Sequence, residues 1–280
     1  MKNYLFIALV LIFFSFTQDF HRVATIDISG QVLSSDNLRN CYVINDNNEL
    51  IKFNADGERI ASFSDTRQGR LQFIDSNNPL GLLLFYPDFS YIVLLDKSLS
   101  VVKKYNLGNF GISRAGAVCF SNDNNIWVYD ENSFQLKKIN NTSGTSLAYE
   151  DIDQVWENEL PSDILISSED LSMRLGTSLN PNFVLENGNW IYLNDPELGI
   201  IVLDIYANYF KTIPIKGLEN FQIFEDELYY FNDNKLKHYN LKIFQEEIIE
   251  LPIDTDIKAV NIQKDRLFIL SENQLVLYSF

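Results

Sequence analysis

The chain has 280 residues, with 38 acidic against 22 basic side chains, a formal net charge of −16 and only two histidines. That balance speaks against nucleic acid, whose binding rests on clustered Lys and Arg that neutralise phosphates, and against docking on an anionic lipid surface. With 46% apolar residues, 12 Gly and 7 Pro, the composition excludes a disordered chain and fits one large domain with a buried core.

The first element is a leader. Lys2 precedes an apolar run over residues 4–16, interrupted only by Ser15. As a helix it reaches about 20 Å, short of the roughly 30 Å of a bilayer core. Ser15 and Thr17 stand where a signal peptidase needs small residues, so residues 1–17 read as a cleaved secretory signal and Gln18 as the new terminus. The alternative is an uncleaved anchor helix. No Cys follows closely enough for a lipid anchor, and no later segment could cross a membrane as a helix. The expected location is the periplasm or the outside of the cell.

Beyond the leader one pattern recurs about every 40 residues: strand, Asn/Asp-rich turn, strand, polar turn, strand. In chain order the units read CYVIND–ELIKFN–RIASF (41–63), LLLFYPD–YIVLLD–VVKKY (82–105), IWVYD–QLKKIN (126–140), WIYLND–GIIVLD–YFKTIPI (190–215), LYYFND–KLKHYN–EEIIEL (228–251) and LFILSEN–QLVLYSF (267–280). The strands are rich in Ile, Leu, Val, Tyr and Phe, as half-buried pleats require. Two turn positions keep their chemistry. The first holds Asp46, Asp88, Asp130, Asp195 and Asp233; the second holds Asn54, Asp96, Asn140, Asp204 and Asn240. Asp and Asn suit both, because their side chains cap local backbone donors. A further short strand precedes each unit, at 32–34, 71–74, 117–120, 183–185, 221–224 and 259–262. Four strands per unit and six units predict an all-β fold, a six-bladed β-propeller over residues 18–280. The last unit lacks a fourth strand, and residues 22–28 form an orphan strand that would complete it and close the ring. Residues 149–181 break the spacing and read as an insertion between the third and fourth blades, with Ser168 capping a short helix that stops at Gly176. The alternative is a degenerate extra blade, seven in all.

ELIKFNADGERIASF (49–63) resembles the strand–turn–strand signature of NHL-type and related propeller repeats. The whole chain is similar to small exported propellers of Bacteroidetes-type bacteria. The resemblance implies a propeller fold and carries no catalytic residues.

Catalytic motifs are missing from the sequence. There is no nucleophile elbow, no zinc-protease helix, no phosphate loop and no Cys/His metal spacing. His21 and His238 read as surface or packed side chains, and Cys41 and Cys119 as buried free thiols, since they fall in blades that are not neighbours. Trp127 and Trp190 occupy equivalent strand positions and read as packing between blades. The repeated Asp46, Asp88, Asp130, Asp195 and Asp233 should ring one face, joined by Glu131, Glu197 and Glu272, with the insertion rising from that face. They offer an acidic surface for a protein partner or a weak Ca²⁺ site; no other cofactor is expected. Within the insertion, Trp156 and Leu160 are apolar anchors and Glu157 and Glu159 their charged surround. The expected function is a non-enzymatic, exported binding or scaffold module, in one version an accessory subunit of an envelope or outer-membrane secretion assembly. One alternative is a propeller enzyme resembling lactonases or quinone-dependent dehydrogenases, with a divalent metal held among Asp75, Asp123, Glu186 and Glu225 of the inner strands. Another is a glycan-binding propeller, which needs exposed aromatic platforms that the sequence does not locate.

Overall fold

The structure, a computed structural model, describes residues 19–78, 81–141, 145–146, 163–254 and 256–280. The chain enters as β1 (His21–Asp27) and then lays down blade one from β2 (Gly30–Ser35), β3 (Cys41–Asn45), β4 (Leu50–Phe53) and β5 (Arg59–Phe63). Blade two is β6 (Phe73–Asp75), β7 (Gly81–Tyr86), β8 (Tyr91–Asp96) and β9 (Val101–Asn106). Blade three takes β10 (Ala115–Phe120), β11 (Ile126–Asp130) and β12 (Gln135–Ile139); the two-residue β13 (Thr145–Ser146) then pairs with β9 of blade two, and β14 (Ile164–Ser167) completes blade three. Blade four is β15 (Phe183–Asn187), β16 (Trp190–Asp195), β17 (Gly199–Asp204) and β18 (Tyr209–Ile213); blade five is β19 (Gln222–Phe224), β20 (Glu227–Asn232), β21 (Lys235–Asn240) and β22 (Glu246–Ile249). Blade six has β23 (Ile257–Gln263), β24 (Arg266–Ser271) and β25 (Gln274–Ser279), and its outermost strand is β1.

The protein is therefore a six-bladed antiparallel propeller closed by its N-terminal strand. β1 runs antiparallel to β25 from His21 opposite Ser279 to Asp27 opposite Gln274. Phe20 adds edge contacts with Tyr278 and Phe280. The second and third strands of a blade are sandwiched between neighbours, so they are apolar almost throughout; β7 and β17 are examples. The outermost strands β5 and β22 face water along most of their length. Each seam between blades holds its own apolar cluster.

The inner strands converge on the axis and fill it. Phe73 of blade two meets Phe183 of blade four edge-on at 5.6 Å, and Phe183 meets Phe221 at 4.9 Å. Blades two and four are not neighbours, so these rings plug the channel across its width. Towards the other end the filling is polar: Gln222 Nε2 donates to Asn261 Oδ1 at 3.0 Å, Ser35 Oγ donates to the same oxygen, and Ser76 Oγ donates to Ser35 O at 2.8 Å.

Three expectations change. The break in the repeat falls inside blade three, not between blades three and four, because β14 pairs with β12 as the fourth strand. β14 escapes the repeat pattern because more than twenty residues separate it from its partner. Residues 149–162 of the expected insertion lie outside the described residues, as does the leader. No seventh blade is formed by the described residues; those from Asp163 onward complete blade three and then form a short helix, α1 (Leu171–Leu175). Asp170 caps that helix rather than Ser168, accepting from the Met173 N–H at 3.0 Å, while Gly176 ends it in the left-handed conformation as expected. Ser168 is instead used inside blade three, where its Oγ accepts from the Leu136 N–H. Cys41 and Cys119 are buried free thiols. Among the described residues no helix is long and apolar enough to cross a membrane.

Candidate functional site

Turn chemistry separates the two faces of the ring. The turns between second and third strands share one face with the links between blades. Asp88 accepts there from the Arg70 N–H of a link at 3.0 Å, and Asp195 from the Asn180 N–H of another at 2.8 Å. The turns between first and second strands, and between third and fourth, lie on the opposite face.

The five repeated aspartates do sit on the first face, but not as a free acidic ring. Asp130 and Asp195 are buried. Asp195 also accepts from the Glu197 and Leu198 N–H groups of its own turn. Burial works to raise the Asp130 carboxyl, yet hydrogen bonds from Lys137, Ser133 and the Asn132 N–H outweigh it and hold it below the usual range. Asp46, Asp88 and Asp233 are exposed. In blades one and five the neighbouring Asn45 and Asn232 accept the turn bonds instead. Four of the five second turn positions behave as expected: Asn54, Asp96, Asp204 and Asn240 each accept two backbone N–H bonds. Among the described residues no group of three or more His, Cys, Asp or Glu could hold a metal ion. Of the expected insertion, the link after β14 lies on the aspartate face, where the Asn180 N–H meets Asp195, whereas the start of β14 lies on the opposite one. Asn141 and Asp163 lie at the turn between third and fourth strands, where the Asn140 N–H donates to Asp163 O at 2.8 Å. Trp156, Glu157, Glu159 and Leu160 fall outside the described residues.

The carboxylates of the inner strands are committed. Asp75 is buried and accepts from the Asn77 and Phe120 N–H groups, 2.9 and 2.8 Å away. Burial nevertheless pushes its carboxyl above the ordinary range. Glu186 accepts from Ser121 Oγ at 2.6 Å and from the indole N–H of Trp127. Cys119 lies near both carboxylates, and burial first, then their charge, pushes its thiol well up. Asp123 pairs with Lys138 at 2.9 Å. Only Glu225, of the four acids named for a catalytic channel, makes no hydrogen bond to a described residue, and it does not face the channel.

Glu225 lies instead on a recess of about 480 Å³ that opens on the second face, at the seam of blades four and five. The size suits a small ligand. Its floor is Trp190 and Phe210, whose rings are 4.7 Å apart and tilted by 34°. Phe210 is 57% exposed. Lys211, next on β18, holds its ammonium 5.8 Å above the Phe210 ring and 5.1 Å above that of Phe244, itself 63% exposed. The rim is polar: Asn187, Asn189, Glu225, Asp226 and Lys242. Lys242 pairs with Asp226, and burial, then the Asp226 charge, raises the Tyr192 phenol at the recess wall. Glu225 holds a left-handed conformation at φ 55°, costly for a residue with a side chain. Each of these residues stands plainly in the sequence, but their meeting does not, because they come from two blades. Trp127 and Trp190 are not equivalent in register. Counting back from Asp130 and Asp195, Trp127 matches Tyr192, and Trp190 sits two residues nearer the rim.

No family model matches the chain, and no curated protein matches it. Among solved structures it is similar to the WD40 domain of Pan2 from Neurospora crassa, at TM-score 0.65 and 9% identity, covering 94% of this chain and 96% of that one. It is also similar to virginiamycin B lyase from Staphylococcus aureus, at TM-score 0.63 and 10% identity over 94% and 100%. A streptogramin B lyase structure matches at TM-score 0.55 and 11% identity over 88% and 78%. These likenesses establish the propeller fold, which is shared by a WD40 domain and by lyases; the resemblance to NHL-type repeats carries over at that level alone.

Proposed function

We propose that this propeller is a binding module, exported by the leader at residues 1–17, whose ligand seats at the seam of blades four and five. One observation carries the reading. The carboxylates of Asp75 and Glu186 already have their hydrogen bonds, whereas Asn187, Asn189 and Glu225 around the recess make none with a described residue. Buried and committed groups serve the fold; convergent uncommitted groups around an exposed aromatic floor serve a ligand. Capture from an envelope extract by immobilised protein tests this. Wild type should retain a ligand that the Phe210→Ala/Phe244→Ala variant releases, at unchanged melting temperature. Equal retention by both moves the site elsewhere.

A second reading is catalytic, and the comparisons favour it: the similar structures above include lyases of virginiamycin B and streptogramin B, the former also solved as an inactive variant with quinupristin. Glu186, which is half-buried, would then be the acid–base candidate. Incubation with quinupristin, followed by chromatography and fragmentation mass spectrometry, decides it, since ring opening by elimination leaves the mass unchanged. Conversion by wild type and not by Glu186→Gln supports the enzyme; an inert wild type removes this substrate and, with it, the basis for the analogy.

A further inference from the structure

We propose that the recess between blades four and five takes a neutral saccharide, an inference that rests on the recess being the ligand site. A sugar ring has two chemistries. Its C–H face is apolar and seeks a flat partner, and its hydroxyls each donate and accept. The recess matches both. Phe210 stacks on Trp190 with 4.7 Å between centroids, which leaves the recess side of Trp190 and the exposed Phe210 ring as apolar surface, and Phe244 lies beyond Lys211. Around them stand two carboxamides, Asn187 and Asn189, each able to donate and accept, a carboxylate acceptor, Glu225, and an ammonium donor, Lys211.

None of these four rim side chains hydrogen-bonds a described residue. They differ in this from Asn54, Asp96, Asp204 and Asn240 on the same face, which cap their own turns. No turn bond among the described residues uses the side chain of Asn189 or Glu225. At Glu225 the backbone takes φ 55°, the conformation that Gly188 and Lys264 take at the matching turns of blades four and six.

Charge selects among sugars. Lys211 and Lys242 balance Glu225 and Asp226 at the rim, and Lys242 is tied to Asp226. The chain as a whole carries −16, which repels a polyanion at long range. A neutral chain of hydroxylated rings is left as the fitting occupant.

Affinity electrophoresis of the folded protein through gels containing glucan, mannan, xylan or polygalacturonate tests the assignment. At least one neutral polysaccharide should retard the wild type and polygalacturonate should not. Phe210→Ala should weaken the retardation at least about tenfold, as loss of an aromatic anchor does. Phe89→Ala, which removes an equally exposed ring from the opposite face, should leave it intact. The assignment is overturned if no neutral polysaccharide retards the protein, if polygalacturonate alone does, or if Phe210→Ala migrates as wild type. Should sugar binding fail while the Phe210→Ala/Phe244→Ala variant still loses capture from the envelope extract, the recess remains a ligand site and only the saccharide class falls. If that capture also survives the double variant, the site itself is misplaced.

Discussion

The seam between blades three and four and the next seam, between blades four and five, are each lined by a tryptophan that faces the following blade, and only the first is sealed. Trp127 is wholly buried, its N–H taken by Glu186 and its ring covered by the Lys138 ammonium at 4.7 Å. Lys138 is in turn held by Asp123, and Asn122 donates across the seam to Gly188 O at 3.0 Å. Trp190 has Phe210 on one side and an open recess on the other. The difference lies in the turns. Five residues, 121–125, join β10 to β11, long enough to reach over blade four. Two residues, Gly188 and Asn189, join β15 to β16 and are too short to reach over blade five. A seam closes when the turn of the blade that carries the tryptophan sends side chains across it, and remains a groove when that turn is minimal.

The largest expected effect comes from the seam that chain continuity does not secure. β1 closes blade six against blade one, with Ala24 and Ile26 packed on that seam's cluster. A protein beginning after residue 28 should melt more than about 10 °C lower, because a sheet edge and an apolar seam are uncovered together. A thermal transition within a degree or two of the full chain would show that the ring is held by its seams alone.

Trp127→Ala comes next, with a loss of about 3–5 kcal/mol from the cavity and the lost indole bond to Glu186. Trp190→Ala should cost much less, since one side of the ring already meets the recess. Equal losses in denaturant titrations would erase the distinction between the two seams. Glu186→Gln sharpens it further. The new amide turns a donor towards Ser121, Asn122 or Trp127, all of which donate to the carboxylate. A cost of about 2–3 kcal/mol is expected, read from the same titrations.

A polar clasp on the face opposite the recess gives a pH-dependent counterpart. Asp65 is buried, which works to raise its carboxyl, but hydrogen bonds from Arg67 and from Lys104 at 2.7 Å prevail and hold it at about 2. Its folded value lies below the unfolded value of about 3.9. Its contribution of about 2 kcal/mol is therefore complete above about pH 4 and lost as the pH falls through about 2. Stability measured over that window should fall more steeply for wild type than for Asp65→Asn; parallel curves would remove the clasp. The smallest effect on stability should be that of Phe210→Ala, within about 0.5 kcal/mol by thermal melting, because the ring contributes to the recess more than to the core.

Most of the fold was legible in the residues because its information is local and repeated. Alternating apolar strands, Asp and Asn at fixed turn positions, and a last unit short of one strand predict six blades and their closure, and the pairing of β1 with β25 bears this out. The caps at Asn54 and Asp204 need no tertiary information, because each side chain bonds its own turn. What the residues could not convey was anything set by distance in the chain. The fourth strand of blade three was hidden because β14 finds β12 only after the break in the repeat.

The site follows the same division. The sequence by itself determined the strand order, the turn caps, the acidic charge and the presence of aromatic residues near positions 190, 210 and 244. Only the tertiary structure decided that Asp130 and Asp195 are buried, that Glu186 is consumed by Trp127, and that Phe210 and Glu225 from successive blades face one recess. The physical reason is that a blade's pattern specifies which way each side chain points, whereas a seam's chemistry depends on how far one blade's turn extends over the next.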